Sequence, residues 1–232
     1  MSTFALIHSP IVGPSTWSLL AEELRRRGSE VAVPDLDGVE GAGEPYWRQH
    51  ARAAALALRA VSAERPPILV AHSGAGQLLP AIRQELGRPV AAYLFVDAGV
   101  PEEGQPRHGA GEFADYLREL YARGGRYPDW TDEALRELVP GSATHPRLLI
   151  APRPQPFAYW EEVIPVFAGW PDAPCGYLQF SAPYDRAGAH ARREGWPYRR
   201  LDAGHFHMLV DPAAVADALA ELVQAMPAAP GG

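Results

Sequence analysis

The sequence predicts an α/β fold, a doubly wound, mostly parallel sheet of about six strands. Three observations point to it. Unbroken apolar runs such as Phe4-Ala5-Leu6-Ile7, Ile68-Leu69-Val70-Ala71 and Tyr93-Leu94-Phe95-Val96 have the pattern of strands buried on both faces. Stretches with apolar residues at helical spacing alternate with them. The intervals between runs leave room for the crossover helices that parallel neighbours require.

The elements follow in order. Thr3 to His8 reads as the first strand, and Ser9-Pro10-Ile11-Val12-Gly13-Pro14 as a loop. Ser15 is expected to cap a helix through Trp17, Leu19, Leu20 and Leu24, ended by Gly28. Glu30 to Pro34 is the second strand, residues 37–45 form a Gly- and Asp-rich loop, and a long Ala/Leu/Arg helix runs from about Tyr46 to Val61. The third strand ends abruptly in His72-Ser73-Gly74-Ala75-Gly76 and leads into Leu78, Leu79, Ile82 and Leu86 at helical spacing. Pro80 lacks a backbone donor, which predicts a kink or an irregular first turn. Val90 to Asp97 is the fourth strand.

The rhythm breaks at Pro101. Residues 102–174 are Pro/Gly-punctuated, hold ten of the 22 aromatic residues, and contain two expected helices, Glu112 to Tyr121 and Thr131 to Leu138. Insertions over the carboxyl edge of such a sheet are where pockets form, so this segment reads as an apolar lid. The plainer alternative is that the rings only hold an irregular segment together. The rhythm resumes with a strand from Cys175 to Ser181, a helix from Arg186 to Arg193 and a short strand from Tyr198 to Leu201. Ala203 to His207 is a loop, and Asp211-Pro212 opens a last helix through Val215, Leu219 and Leu222. We expect one domain over 1–226 and a disordered tail at 227–232.

Composition excludes several functions. With 47% hydrophobic and 21% charged residues, the 232-residue chain is an ordinary globular protein. No apolar run approaches the ~20 residues that span a bilayer, and the first residues lack the basic start of a signal peptide, so a cytoplasmic protein is expected. The net charge of −7, without a basic stripe, argues against nucleic acid as a partner. Cys175 is the only cysteine, which excludes an internal disulfide. All 21 basic residues are arginine, which excludes Schiff-base chemistry on lysine. His50, His108, His145 and His190 show no metal-ligand spacing, so no metal site is expected.

Chemistry concentrates at the end of the third strand. A serine on a tight strand-to-helix turn is lifted clear of the sheet, its neighbours must be small, and the next N–H, of Gly74, faces the same space. Two other readings stand beside this one. Ser73 suits a helix cap, and Gly74-x-Gly76 could open a dinucleotide-binding turn with Asp97 as its acidic residue. A raised serine needs a base, and the base needs an orienting group. Asp185, after the strand that resumes behind the lid, and His205, in the loop after the last strand, complete the order Ser…Asp…His.

On these residues the chain resembles the α/β-hydrolase fold superfamily, and within it the compact branch of plant methylesterases and hydroxynitrile lyases. The matching pieces are His8 to Trp17, Ile68 to Gly76, Val90 to Pro101, Phe180 to Asp185, and Gly204-His205 with Asp211-Pro212. The resemblance implies Ser73 as nucleophile, His205 as base and Asp185 as the orienting acid, with Asp97 as the acid some members use instead; His207 is an alternative base, but Gly204-His205 is the pair that matches the motif. Ala71 and Ala75 replace the outer glycines of the G-x-S-x-G elbow. In the oxyanion loop His8-Ser9-Pro10, proline cannot donate, so Gly74 is expected to be joined by the Ile11 N–H or the Ser9 hydroxyl. Phe206 stands where the lyases carry lysine, which disfavours cyanohydrin cleavage. The expectation is a serine-dependent, cofactor-free hydrolase, monomeric or homodimeric, acting through an acyl-enzyme. Its substrate would be a small apolar or amphipathic ester, thioester or lactone. Acyl transfer, lyase or cyclase chemistry, and a binding protein without turnover, are the alternatives.

Overall fold

Runs of apolar residues with no polar face must be covered on both sides, and the sheet is built from four of them. The structure is a computed structural model describing residues 2–37, 45–59, 65–107 and 109–227. Its strands are β1 Thr3–Ile7, β2 Glu30–Ala32, β3 Ile68–Ser73, β4 Ala92–Ala98, β5 Cys175–Gln179 and β6 Tyr198–Arg200. Every residue of β1, β3, β4 and β5 is buried. The strands lie in the order β2-β1-β3-β4-β5-β6, all parallel to their neighbours.

The helices are α1 Ser18–Arg26, α2 Tyr46–Arg59, α3 Leu79–Leu86, α4 Glu112–Ala122, α5 Asp132–Leu138, α6 Pro146–Ile150, α7 Phe157–Glu161, α8 Asp185–Arg193 and α9 Pro212–Ala225. Successive strand residues face opposite sides, so each face has its own core. Phe4, Leu6, Val70, Leu94 and Leu178 pack with Leu20 and Leu24 of α1 and Leu219 of α9. Ile7, Leu69, Tyr93, Phe95 and Tyr177 pack with Leu58 of α2, Ile82 of α3 and Ala191 of α8.

The chain passes from β1 outward to β2, then returns to lay β3 on the other side of β1. This reversal opens a crevice at the carboxyl ends of β1 and β3. His8-Ser9 leaves one end and Ser73 closes the other.

Several expectations change in detail. Ser15 caps nothing: Pro14–Trp17 is a single 3-10 turn entered at Gly13, and α1 begins only at Ser18. Residues 60–64, 38–44 and 228–232, where the end of the second helix, a loop and a tail were expected, lie outside the described residues. Of the two outcomes expected at Pro80 the structure shows the irregular start: a separate 3-10 turn, Gly76–Leu78, precedes α3, and Pro80 falls in the first turn of α3, where it forfeits no helical bond. Among its described residues, the segment between β4 and β5 has four helices rather than two. The additional ones, α6 and α7, are only five residues each, too short for a periodic signal.

Candidate active site

Ser73 sits at φ 58°, in the left-handed region that a non-glycine residue enters only when its surroundings hold it there. The register slips by one residue at this point, with His72 opposite Val96 but Ser73 opposite Ala98. Backbone bonds from Gly99 N–H to the Ser73 carbonyl and from Ala75 N–H to the His72 carbonyl, both 3.1 Å, fix the bend. A Cβ on Gly76 would lie 2.0 Å from the Gly99 carbonyl oxygen. The second glycine of Gly74-x-Gly76 therefore answers a close backbone crossing, and neither the 3-10 turn nor α3 is capped by a side chain.

Asp97, the last residue but one of β4, is wholly buried and faces the crevice. Its Oδ2 lies 2.7 Å from His205 Nδ1 and 2.6 Å from the Ser181 hydroxyl, and its Oδ1 accepts the N–H groups of Phe180 and Ser181 at 2.9 Å. Burial alone would raise the carboxyl's pKa, but the bonds from His205 and Ser181 outweigh it and hold the group below its usual range. The structure brings Asp97, and not Asp185, to His205. That residue opens α8, one 3-10 turn beyond β5, where it is 62% exposed and bonds Gln179 and Arg200. The physical reason is topological. β4 is the immediate neighbour of β3, so a residue at its end adjoins the serine, whereas Asp185 has already turned onto the outer face.

His205 does come to the site. His72 Nε2 donates to the His205 carbonyl at 2.9 Å, and the two rings lie 4.2 Å apart. Burial pushes the His72 imidazole well below its usual range, so it acts as a neutral brace for this loop. His207 packs instead on Phe180, with ring centroids 5.6 Å apart.

Ser73 Oγ has a hydrogen-bonding partner that sequence reasoning missed, the Tyr184 phenol at 3.0 Å. The Tyr184 ring stacks on His205 at 5.2 Å with 8° between planes, so the phenol touches both groups. Burial raises its pKa, which keeps the phenol protonated and able to donate. When Tyr184 donates, the serine's own proton is left for another acceptor.

Ser9, Ile11 and Gly74 border the same space as Ser73. Ser9 Oγ is 3.3 Å from the position a Gly74 Cβ would take. Their loop is held from two directions. His8, buried with its pKa lowered to about 4 by desolvation, stands between the Ser9 carbonyl, 2.9 Å from Nδ1, and the Leu36 N–H, which donates to Nε2 at 3.2 Å. From the segment after α6, Arg153 N–H donates to the Ile11 carbonyl at 2.8 Å and Gln155 Nε2 to the Pro10 carbonyl at 2.9 Å.

Above the serine is a cavity of about 780 Å³. Phe113, Tyr127, Trp130, Tyr159 and Trp160 line it, half of the segment's ten aromatic residues. Others hold the segment down: Trp170 packs at a tilt against Tyr93, and Phe167 meets Trp170 edge to face. The aromatic excess thus divides between rings that line the cavity and rings that pack the segment together. Arg107 also lines the cavity. Nothing in the sequence around Arg107 or Tyr184 marks either residue, because each reaches the site from a segment without a periodic pattern.

A parallel sheet with a strained serine at the end of its third strand, and a His–Asp pair beside it, defines the α/β-hydrolase class of fold. The profile of the alpha/beta hydrolase family matches residues 5–218, and the chain belongs to that family. No curated protein sequence matches it. Among solved structures, an extracellular alpha/beta-hydrolase from a Paenibacillus species, described as homologous to tobacco salicylic acid binding protein 2, superposes with a TM-score of 0.75 at 18% identity, over 96% of this chain and 99% of that one. A pyrethroid hydrolase from Sphingobium faniae matches at 0.71 and 19%, over 97% and 98%. The Arabidopsis methylesterase MES16 matches at 0.65 and 17%, over 97% and 99%. Among the described residues no helix is long and apolar enough to cross a membrane.

Proposed function

We propose that the protein hydrolyses a carboxylic ester, thioester or lactone through an acyl-enzyme on Ser73. His205 takes the serine proton and returns it to the leaving group, while Asp97 fixes the imidazole and stabilises its charged form. Gly74 N–H, with the Ser9 hydroxyl or the Ile11 N–H, holds the oxyanion. The observation that carries this reading is the 2.7 Å contact of His205 with a carboxylate that has no exposure to solvent, at the mouth of the crevice that also holds the strained serine. Such chemistry needs no cofactor. The aromatic cavity wall favours a substrate with apolar bulk, in keeping with the ester hydrolases among the structural relatives.

The test is rapid mixing with p-nitrophenyl esters. A burst of nitrophenol stoichiometric with enzyme is expected, and the Ser73→Ala protein should lose both burst and turnover.

One observation favours a second reading, non-hydrolytic chemistry in which the serine only positions substrate: the Ser73 hydroxyl is bonded to Tyr184. Substantial turnover of any substrate by Ser73→Ala would decide for it. Transfer of the acyl group to an added alcohol or amine, lost in Ser73→Ala, would instead identify an acyltransferase.

A further inference from the structure

Away from the serine the cavity wall is mainly apolar, with Gln77 and Arg107 among its polar side chains. Arg107, between β4 and α4, is 8% exposed as a residue and lines the cavity wall. Its backbone is pinned by a bond from its N–H to the Glu162 carbonyl at 3.0 Å. Its guanidinium lies 4.3 Å over the Tyr159 ring, and Nη1 donates to the Tyr159 hydroxyl at 3.2 Å. Nε and Nη2 are buried and find no hydrogen-bond acceptor among the described residues.

Glu162 does not fill that role. Its Oε2 is 3.6 Å from Arg107 Nε, beyond hydrogen-bond range, and its two oxygens accept the N–H groups of Tyr46 and Trp47 at the start of α2. It balances charge without satisfying the fork, and it does not line the cavity. A guanidinium offers five donors in a plane, and leaving some of them unpaired when buried is costly. Arginine forks match carboxylates bidentately, better than they match a single carbonyl. Tyr159, fully buried and kept protonated by that burial, accepts from Arg107 and has its own proton to offer beside it.

We propose that Arg107, assisted by Tyr159, binds a carboxylate carried by the substrate, so that the preferred substrate is an acidic hemiester or hemithioester rather than a neutral ester. This rests on the hydrolase reading and narrows it to one substrate class. An arginine serving only to tie Tyr159 to Glu162 predicts no such preference.

The test compares mono-p-nitrophenyl esters of succinate, glutarate, adipate and suberate with p-nitrophenyl esters of the monocarboxylic acids of equal length. At the length that spans from Ser73 to Arg107, the wild-type kcat/KM should favour the acidic ester by about tenfold or more, as loss of a charged, buried pairing would imply. Arg107→Met, its folding checked by circular dichroism, should bring that ratio to one or below, and Arg107→Lys should restore part of it. A wild-type preference for the neutral ester at every length, or a ratio unchanged in Arg107→Met, overturns the proposal while leaving ester hydrolysis standing. Should no ester turn over, the hydrolase reading fails separately. Titration of the Ser73→Ala protein with adipate and suberate, followed by quenching of tryptophan fluorescence from Trp130 and Trp160, then decides: saturable quenching absent from an Arg107→Met/Ser73→Ala double variant supports the anion site, and no quenching by either diacid overturns it.

Discussion

The sheet and the segment between β4 and β5 are built on opposite principles. β1, β3, β4 and β5 are buried along their whole lengths and tied by parallel ladders, so the groups at their carboxyl ends have little freedom. In the intervening segment α4 buries only Ala114, Leu117 and Leu120, and α5 only Leu135. Among the described residues, four of the six exposed large apolar side chains, Phe113, Tyr116, Leu148 and Val163, belong to this segment. Its rings meet mostly edge to face, as in Phe113–Trp160 and Tyr127–Trp130, contacts that fill space without a ladder to set register. The difference separates two tasks. The sheet places Ser73 and Asp97, and the intervening segment shapes the cavity beside them.

Substitutions in the sheet should therefore abolish chemistry or folding, and those in the lid should redirect specificity. The sharpest contrast uses two aspartates. Asp97→Asn should lower kcat by about 10³- to 10⁴-fold, because an amide cannot hold the imidazole in the productive tautomer. Asp185→Asn should change kcat by less than about threefold, its carboxylate being solvated and bonded away from the site. Steady-state kinetics with one p-nitrophenyl ester measure both, and reversal of the order would return the orienting role to Asp185.

Gly76→Ala comes next. The added methyl meets a backbone oxygen that cannot step aside, so a loss of about 2–4 kcal/mol is expected in urea unfolding. Gly104→Ala, in the lid-bearing segment with open space around it but φ 73°, should cost only about 1 kcal/mol from backbone strain.

Acid should expose the same rigidity. Burial lowers His8 and His50 from the ordinary 6.5 to about 4. The unfolded chain binds protons at these positions as pH falls through 6.5, and the folded chain does not until near 4. Stability should be level above 6.5 and decline between 6.5 and 4, by on the order of 3 kcal/mol per histidine at most. Urea titrations across that range measure it, and His50→Gln should flatten the slope. No decline would mean the two imidazoles are not buried as neutral groups.

The smallest effect sharpens the comparison most, since Arg153 crosses the divide. Its guanidinium bonds Asp35, 2.7 Å from Nη1, while its N–H holds the Ile11 carbonyl in the loop after β1. Arg153→Met should lower kcat about three- to tenfold with little change in KM. Phe113→Ala, by contrast, should raise KM for long acyl chains and leave kcat within about threefold.

Strand runs, helix spacing and the small residues about Ser73 made the architecture and the bend legible in the primary structure. His205 was legible for the same local reason, lying in a Gly-His loop between a short strand and a capped helix. Asp97 was visible only as an alternative, because chain order favours a residue after β5 and says nothing about which strand lies beside β3. Tyr184 and Ser181 fell inside the pentapeptide Ser181-Ala-Pro-Tyr-Asp185, yet the pattern could not show that the phenol would turn to the serine and the carboxylate away from it. Periodicity encodes which face of an element is buried, and that is a local property. Which side chains meet above the sheet depends on strand order and on a lid without periodicity, so the Asp97–His205 pair, the Tyr184 contact and the buried fork of Arg107 were decided only when the chain closed on itself.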